Sequence, residues 1–168
     1  MAVEETDPDE AVKMMASPYF AAFFVTRAFL PDMLKRNSGY IVNMTSAASR
    51  LVWPGATAYI AARWAMHGFT EGLRADLTGT GVRVMLASFA KVASSYWENN
   101  PGSEERLPKA QSLMRVLTPE EAAAAVIRGI QRDKEQVVAP FMLRCVFALN
   151  HFFPSTTRRI MRSSSPKR

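Results

Sequence analysis

A chain of 168 residues, 48% apolar and 21% charged, is long enough for one domain with its own core and is ordinary in composition for a globular protein. One cysteine, Cys145, and two histidines, His67 and His151, exclude an intrachain disulfide and leave a metal centre without a ligand set. The net charge of +6 is unevenly placed: from Gln136 onward the charged residues are Arg144, Arg158, Arg159, Arg162, Lys167 and Arg168, with no acid among them. These cations alternate with Phe, Leu and Met, which fits lipid or packing better than nucleic acid, and no nucleic-acid partner is expected.

Glu4, Glu5, Asp7, Asp9 and Glu10 make the first ten residues too acidic for a secretory leader. No apolar run approaches the roughly 20 residues that cross a bilayer. A cytoplasmic protein, with membrane association left open, is the expectation. Asp7-Pro8-Asp9-Glu10 has a cap, a first-turn proline and a capping-box acid, so a helix starts there. Its continuation, with Met14, Tyr19, Phe20, Phe23, Phe24 and Phe29, is apolar on more than one side, and Pro18 predicts a kink or a late start. Asn37-Ser38-Gly39 is a turn, and 40–44 reads as a buried strand. Ala58, Ala62, Ala65, Met66, Phe69, Leu73 and Leu77 recur at helical spacing and predict a long amphipathic helix over 57–78. A second strand spans 82–86, and 94–115 is irregular and polar. Thr118-Pro119-Glu120-Glu121 opens another helix, 136–139 is a third strand, and 140–153 is an apolar helix before a basic tail. Helices alternating with strands predict a parallel sheet of about three strands, an α/β arrangement too small to stand without partners on both faces.

Ser46 falls at the C-terminal end of the first strand, where open α/β sheets bind ligands. Tyr59 opens the next helix, and Arg63, four residues on, shares its face. A cation beside a phenol favours the phenolate, which suits an acid/base at an alcohol or carbonyl with Ser46 as hydrogen-bond donor. Spacing alone fits a capping serine, a packed tyrosine and a surface arginine equally well.

The segment 39–77 resembles the short-chain dehydrogenase/reductase family. Gly39-Tyr-Ile-Val-Asn-Met-Thr-Ser46 is similar to the family's active-site strand, and Tyr59-Ile-Ala-Ala-Arg63 comes after the family's interval as its Tyr-x-x-x-Lys motif. Leu30-Pro31-Asp32-Met33 and Gly72-Leu-Arg-Ala-Asp-Leu77 resemble the flanking family segments. The resemblance implies a truncated Rossmann-like, doubly wound sheet over 1–139, followed by an apolar-basic helical tail over 140–168. It implies an NAD(P)-dependent oxidoreductase acting on an alcohol or carbonyl substrate, with Ser46, Tyr59 and Arg63 catalytic. Tyr59, Arg63, Phe89, Ala90, Val92 and Ser94 would meet the cofactor, NAD or NADP.

Four departures qualify that implication. No Thr-Gly-x-x-x-Gly-x-Gly turn occurs among the eight glycines. The family lysine is Arg63, which keeps the charge but never deprotonates. The family asparagine falls at Pro18. The family's Pro-Gly pair is Phe89-Ala90, although Val92 and Ser94 fit its next motif, Val-x-Thr. A truncated and weakened or inactive enzyme is therefore expected, and the alternative is a non-catalytic interaction or dimerisation protein of the same descent. The helices at 14–34 and 57–78 correspond to the family's homodimer helices. The segment 141–162 reads as a helix on a membrane surface, as a lid over a lipophilic substrate pocket, or as ordinary packing on the sheet edge or a second subunit.

Overall fold

A computed structural model describes residues 2–165. Lys167 and Arg168 of the basic tail lie outside the described residues. Three parallel strands run in the order β1 (Gly39–Ser46), β2 (Val82–Phe89) and β3 (Gln136–Ala139). Gly39 lies opposite Val82 and Ser46 opposite Phe89, so β1 and β2 end level at their C-termini. The helices are α1 (Pro8–Met15), α2 (Ala21–Lys35), α3 (Thr57–Asp76), α4 (Tyr96–Asn99), α5 (Pro119–Gln131), α6 (Phe141–Phe152) and α7 (Pro154–Ser164).

Alternation along the strands sends their side chains to two covered faces. Val82, Val84 and Ile41 pack with Leu73 of α3, with Leu77 just past its end, and with Leu30 and Met33 of α2. On the other face Ala87, Phe89 and Val42 meet Ala122, Ala125 and Val126 of α5. A Cβ at Gly129 of α5 would lie 2.5 Å from a Val137 methyl and 2.8 Å from the Met85 sulfur, so the missing side chain lets the helix approach the sheet. β2 is the central strand, and every residue in it but Arg83 is buried. This is the α/β, Rossmann-like architecture expected.

The apolar helix expected through 14–34 is interrupted. Ser17 leaves the helical region at φ −128°, ψ 102°, because a residue preceding proline is pushed toward extended backbone. A wide turn, Ala16–Phe20, then hands the chain to α2. Both long strands run further than the apolar pattern foretold, through Thr45 and Ser46 in β1 and through Phe89 in β2. Within the helical tail expected over 140–168, a second helix, α7, follows α6. Pro154 occupies its first turn, and Thr157 and Met161, four residues apart, are buried. A third cluster lies beyond the strand ends, where Leu143, Phe147 and Met161 pack with Ala47, Ala48, Leu51 and Trp53.

Thr118 caps α5 as its sequence foretells: its hydroxyl accepts from the Glu121 N–H at 3.2 Å, and the Glu121 carboxylate accepts from the Thr118 N–H at 3.0 Å. Thr118→Ala is expected to cost about 1 kcal/mol in urea unfolding. The Thr118 N–H, and after it Arg115, hold the Glu121 carboxyl below its ordinary range. A carboxyl depressed in the folded state stabilises at neutral pH and loses that contribution as the pH falls through its folded value. The stability difference between Glu121→Gln and the parent should therefore shrink in acid.

Candidate active site

Ser46 is the last residue of β1, and the turn after the strand fixes its side chain. Its Oγ accepts from the Ala48 N–H at 3.1 Å, which starts a tight turn over Ala47–Ser49. The Ser49 hydroxyl in turn donates to the Ser46 carbonyl at 2.8 Å. Ala47, Ala48 and Ser49 are buried, so the turn is anchored in the third cluster. One strand residue earlier, Thr45 is also buried. Asn43 secures the strand to α3 by donating to the Thr70 hydroxyl at 3.0 Å, and that hydroxyl donates to the Met66 carbonyl at 2.8 Å.

Tyr59 stands in the first turn of α3, and its hydroxyl donates to Ser46 Oγ at 3.1 Å. Ser46 Oγ thus accepts from two donors, Ala48 N–H and Tyr59 O–H, which leaves its own proton to be donated. One turn further along α3, the Arg63 guanidinium carbon lies 4.7 Å from the centroid of the Tyr59 ring. This is cation–π distance, and a delocalised planar cation stacks there as an ammonium would not. Serine, tyrosine and arginine therefore meet in one crevice at the C-terminal end of the sheet.

The crevice opens into a cavity of about 560 Å³. Phe89, Ala90, Val92 and Ser94, at the end of β2 and just after it, line it together with Ser46, Tyr59 and Arg63. Pro18 is not among the lining residues. Others reach the wall unforeseen in the sequence: Thr6, Glu10 and Met14 from the start of the chain, Trp53 from the loop after β1, and Tyr96 and Trp97 from α4. A single aromatic in a loop carries no spacing signal, so only the folded loops reveal them. Lys91 holds the aromatic pair in place, with its ammonium 5.0 Å from the Trp97 ring and ion-paired to Glu104. Trp97 Nε1 donates to the Val92 carbonyl at 2.9 Å, and Tyr96 meets Trp97 edge to face. Burial raises the Tyr96 phenol above its ordinary value. The nearness of Tyr59 adds to that shift, and Arg63 opposes it.

The cavity wall also holds unsatisfied polar groups. Among the described residues, the buried side-chain polar atoms lacking a partner are Thr45 Oγ1, Trp53 Nε1 and Arg63 Nε, all on lining residues. The indole and guanidinium nitrogens can only donate, so they call for a molecule rich in acceptor oxygens.

The chain is similar to known proteins in sequence and in fold. The dehydrogenase/reductase SDR family protein 7-like of Anopheles gambiae is 28% identical over 162 residues, which cover 95% of this chain and 51% of that protein. The 17-beta-hydroxysteroid dehydrogenase 13 of Rattus norvegicus is 28% identical over 152 residues, covering 89% of this chain and 48% of its own length. The chain thus spans about half the length of these curated relatives. A short chain dehydrogenase from Burkholderia cenocepacia, solved in complex with NADP, superposes with a TM-score of 0.75 at 25% identity. That match covers 92% of this chain and 60% of the other. The profile described as short chain dehydrogenase matches residues 1–104, more than half of the sequence, and with it the chain belongs to that family.

Proposed function

We propose that the crevice is the site of an oxidoreductase that interconverts an alcohol and a carbonyl compound, taking a hydrophobic substrate and using Tyr59 as acid/base. The observation that carries this reading is the 3.1 Å contact between Tyr59 and Ser46 beneath a stacked guanidinium. NAD or NADP, when bound, supplies or accepts the hydride. Tyr59 gives its proton to a substrate carbonyl oxygen, or takes it from a hydroxyl. Ser46 donates its remaining hydrogen bond to the same oxygen. Arg63 faces the ring that carries the phenolate charge and, being permanently protonated, holds that charge without relaying a proton.

The unpartnered Arg63 Nε supports a fit to the nicotinamide-ribose end of the cofactor, because that donor needs an oxygen acceptor. Tyr59 would share that contact, while Phe89, Ala90, Val92 and Ser94 would flank the nicotinamide. For the pyrophosphate these 168 residues offer no glycine-rich turn. Aromatic and aliphatic walls, with Met14, Met44, Trp53, Phe89 and Trp97, support an apolar substrate.

A second reading, a non-catalytic interaction or dimerisation protein, is favoured by one specific feature. Phe24, Val25 and Phe29 of α2 and Trp64 of α3 are half or more exposed. They support self-association through the helices at 14–34 and 57–78. Peripheral membrane contact by 141–162 belongs to the same proposal; no helix among the described residues is long and apolar enough to cross a membrane. The test is NADH or NADPH oxidation with a panel of apolar ketones. Turnover that requires Tyr59 supports the enzyme, whereas no turnover with either cofactor leaves the second reading.

A further inference from the structure

Helix α6 is apolar on two opposite sides. Leu143 and Phe147, one turn apart, are buried against the turn after β1 and Trp53. Phe141, Cys145, Ala148 and Phe152 recur at intervals of four, three and four residues on the other side, and all four are exposed. Phe141 is 73% and Phe152 72% exposed, values far above those of a core aromatic. A helix with apolar residues on two opposite sides ordinarily has a second apolar neighbour. The next helix shows what kind of neighbour. α7 buries Thr157 and Met161 and turns Arg158, Arg159 and Arg162 to solvent. Among the described residues no carboxylate pairs with these arginines or with Arg144. From 136 to 165 there is no acid at all.

We infer that the outward sides of α6 and α7 form a docking surface for an anionic lipid bilayer. The Phe141–Phe152 stripe would enter the headgroup boundary, and the arginines would meet lipid phosphates and carboxylates. Arginine stems can lie along apolar surface while their heads stay at the charged layer. A second copy of this chain is the poorer occupant. A two-fold contact repeats the same patch on both partners and sets one arginine cluster near the other. An anionic surface instead neutralises it. The inference deepens the membrane contact proposed for 141–162 and names the lipid charge that drives it.

Cosedimentation of the full chain with phosphatidylcholine vesicles, with and without phosphatidylserine, tests it. Binding is expected to the phosphatidylserine vesicles and to be released by salt. Arg159→Ala and Arg162→Ala should each weaken it about fivefold, since one basic residue near such a surface contributes about that factor. The double variant Phe141→Asp with Phe152→Asp should abolish it. Both side chains are exposed, so circular dichroism of that variant should match the parent. Binding that ignores the phenylalanines, or no binding to either vesicle, overturns the inference. So does a dimer in light scattering that the aspartates dissociate while vesicles bind neither form. No cofactor enters the assay, so its failure is separate from failure of the oxidoreductase reading.

Discussion

Tyr59→Phe is expected to lower carbonyl reduction at least about a hundredfold, the range general acid–base catalysis supplies, and to weaken cofactor binding far less. The reasoning is geometric. Removing one oxygen takes away the proton donor yet keeps the ring on which the Arg63 guanidinium rests at 4.7 Å. Ser46 keeps the Ala48 N–H as a donor to its Oγ, so its position should hold. Ser46→Ala removes the acceptor of the Tyr59 proton and should give a smaller loss of the same sign. Steady-state rates with a saturating ketone separate the two variants. A Tyr59→Phe protein that turns over at the parent rate would remove the phenol from the chemistry.

Leu143→Ala has the largest expected effect on stability, about 2–5 kcal/mol in urea unfolding, the usual range for emptying a fully buried leucine site. Leu143 has no exposed surface and packs among Ala47, Ala48, Leu51 and Trp53. That cluster supports the turn whose Ala48 N–H fixes Ser46. The cavity left by the alanine therefore lies close beneath the site, and a loss of activity beyond the loss of folded protein is expected. Phe141→Ala on the opposite side of the same helix should change stability by no more than about 0.5 kcal/mol, as exposed positions do. Equal effects at the two positions would mean that α6 is not seated on the turn after β1.

Sequence periodicity made the three strands and the long helices legible because each buries one regular face. It stopped short at the strand ends. Thr45, Ser46 and Ser88 carry no apolar signal, and only pairing with the neighbouring strand extends the ladder through them. The helical character of the tail was legible, but not the break that sets α7 apart from α6: the Thr157–Met161 pair that seats α7 is too brief a pattern to stand out. Pro18 announced the break in the apolar helix correctly, since its effect on Ser17 is local. In the site, strand-end position and helical spacing pointed to Ser46 and Tyr59 only weakly, and family resemblance gave them their weight. Their residue types and spacing alone fit a cap and a packing contact as well. Gly81 shows the limit from another side. A Cβ there would fall 1.8 Å from the Asn37 carbonyl oxygen, and Asn37 Oδ1 accepts from the Gly81 N–H at 2.6 Å. The glycine permits a close crossing of two turns that is visible only in space. Trp53, Tyr96, Trp97 and Glu10 reach the cavity through loop and terminal conformations that no local pattern encodes.

The crevice wall holds unpartnered donors and the sequence no glycine-rich turn, and the nicotinamide-ribose fit proposed on that ground can be measured. Titration of the chain with reduced nicotinamide mononucleotide and with NADPH, followed by nicotinamide fluorescence, should give dissociation constants within about tenfold of each other. Arg63→Ala should weaken both together. If neither compound binds, or if both bind equally well to Arg63→Ala, the convergence of Ser46, Tyr59 and Arg63 is not a nicotinamide site.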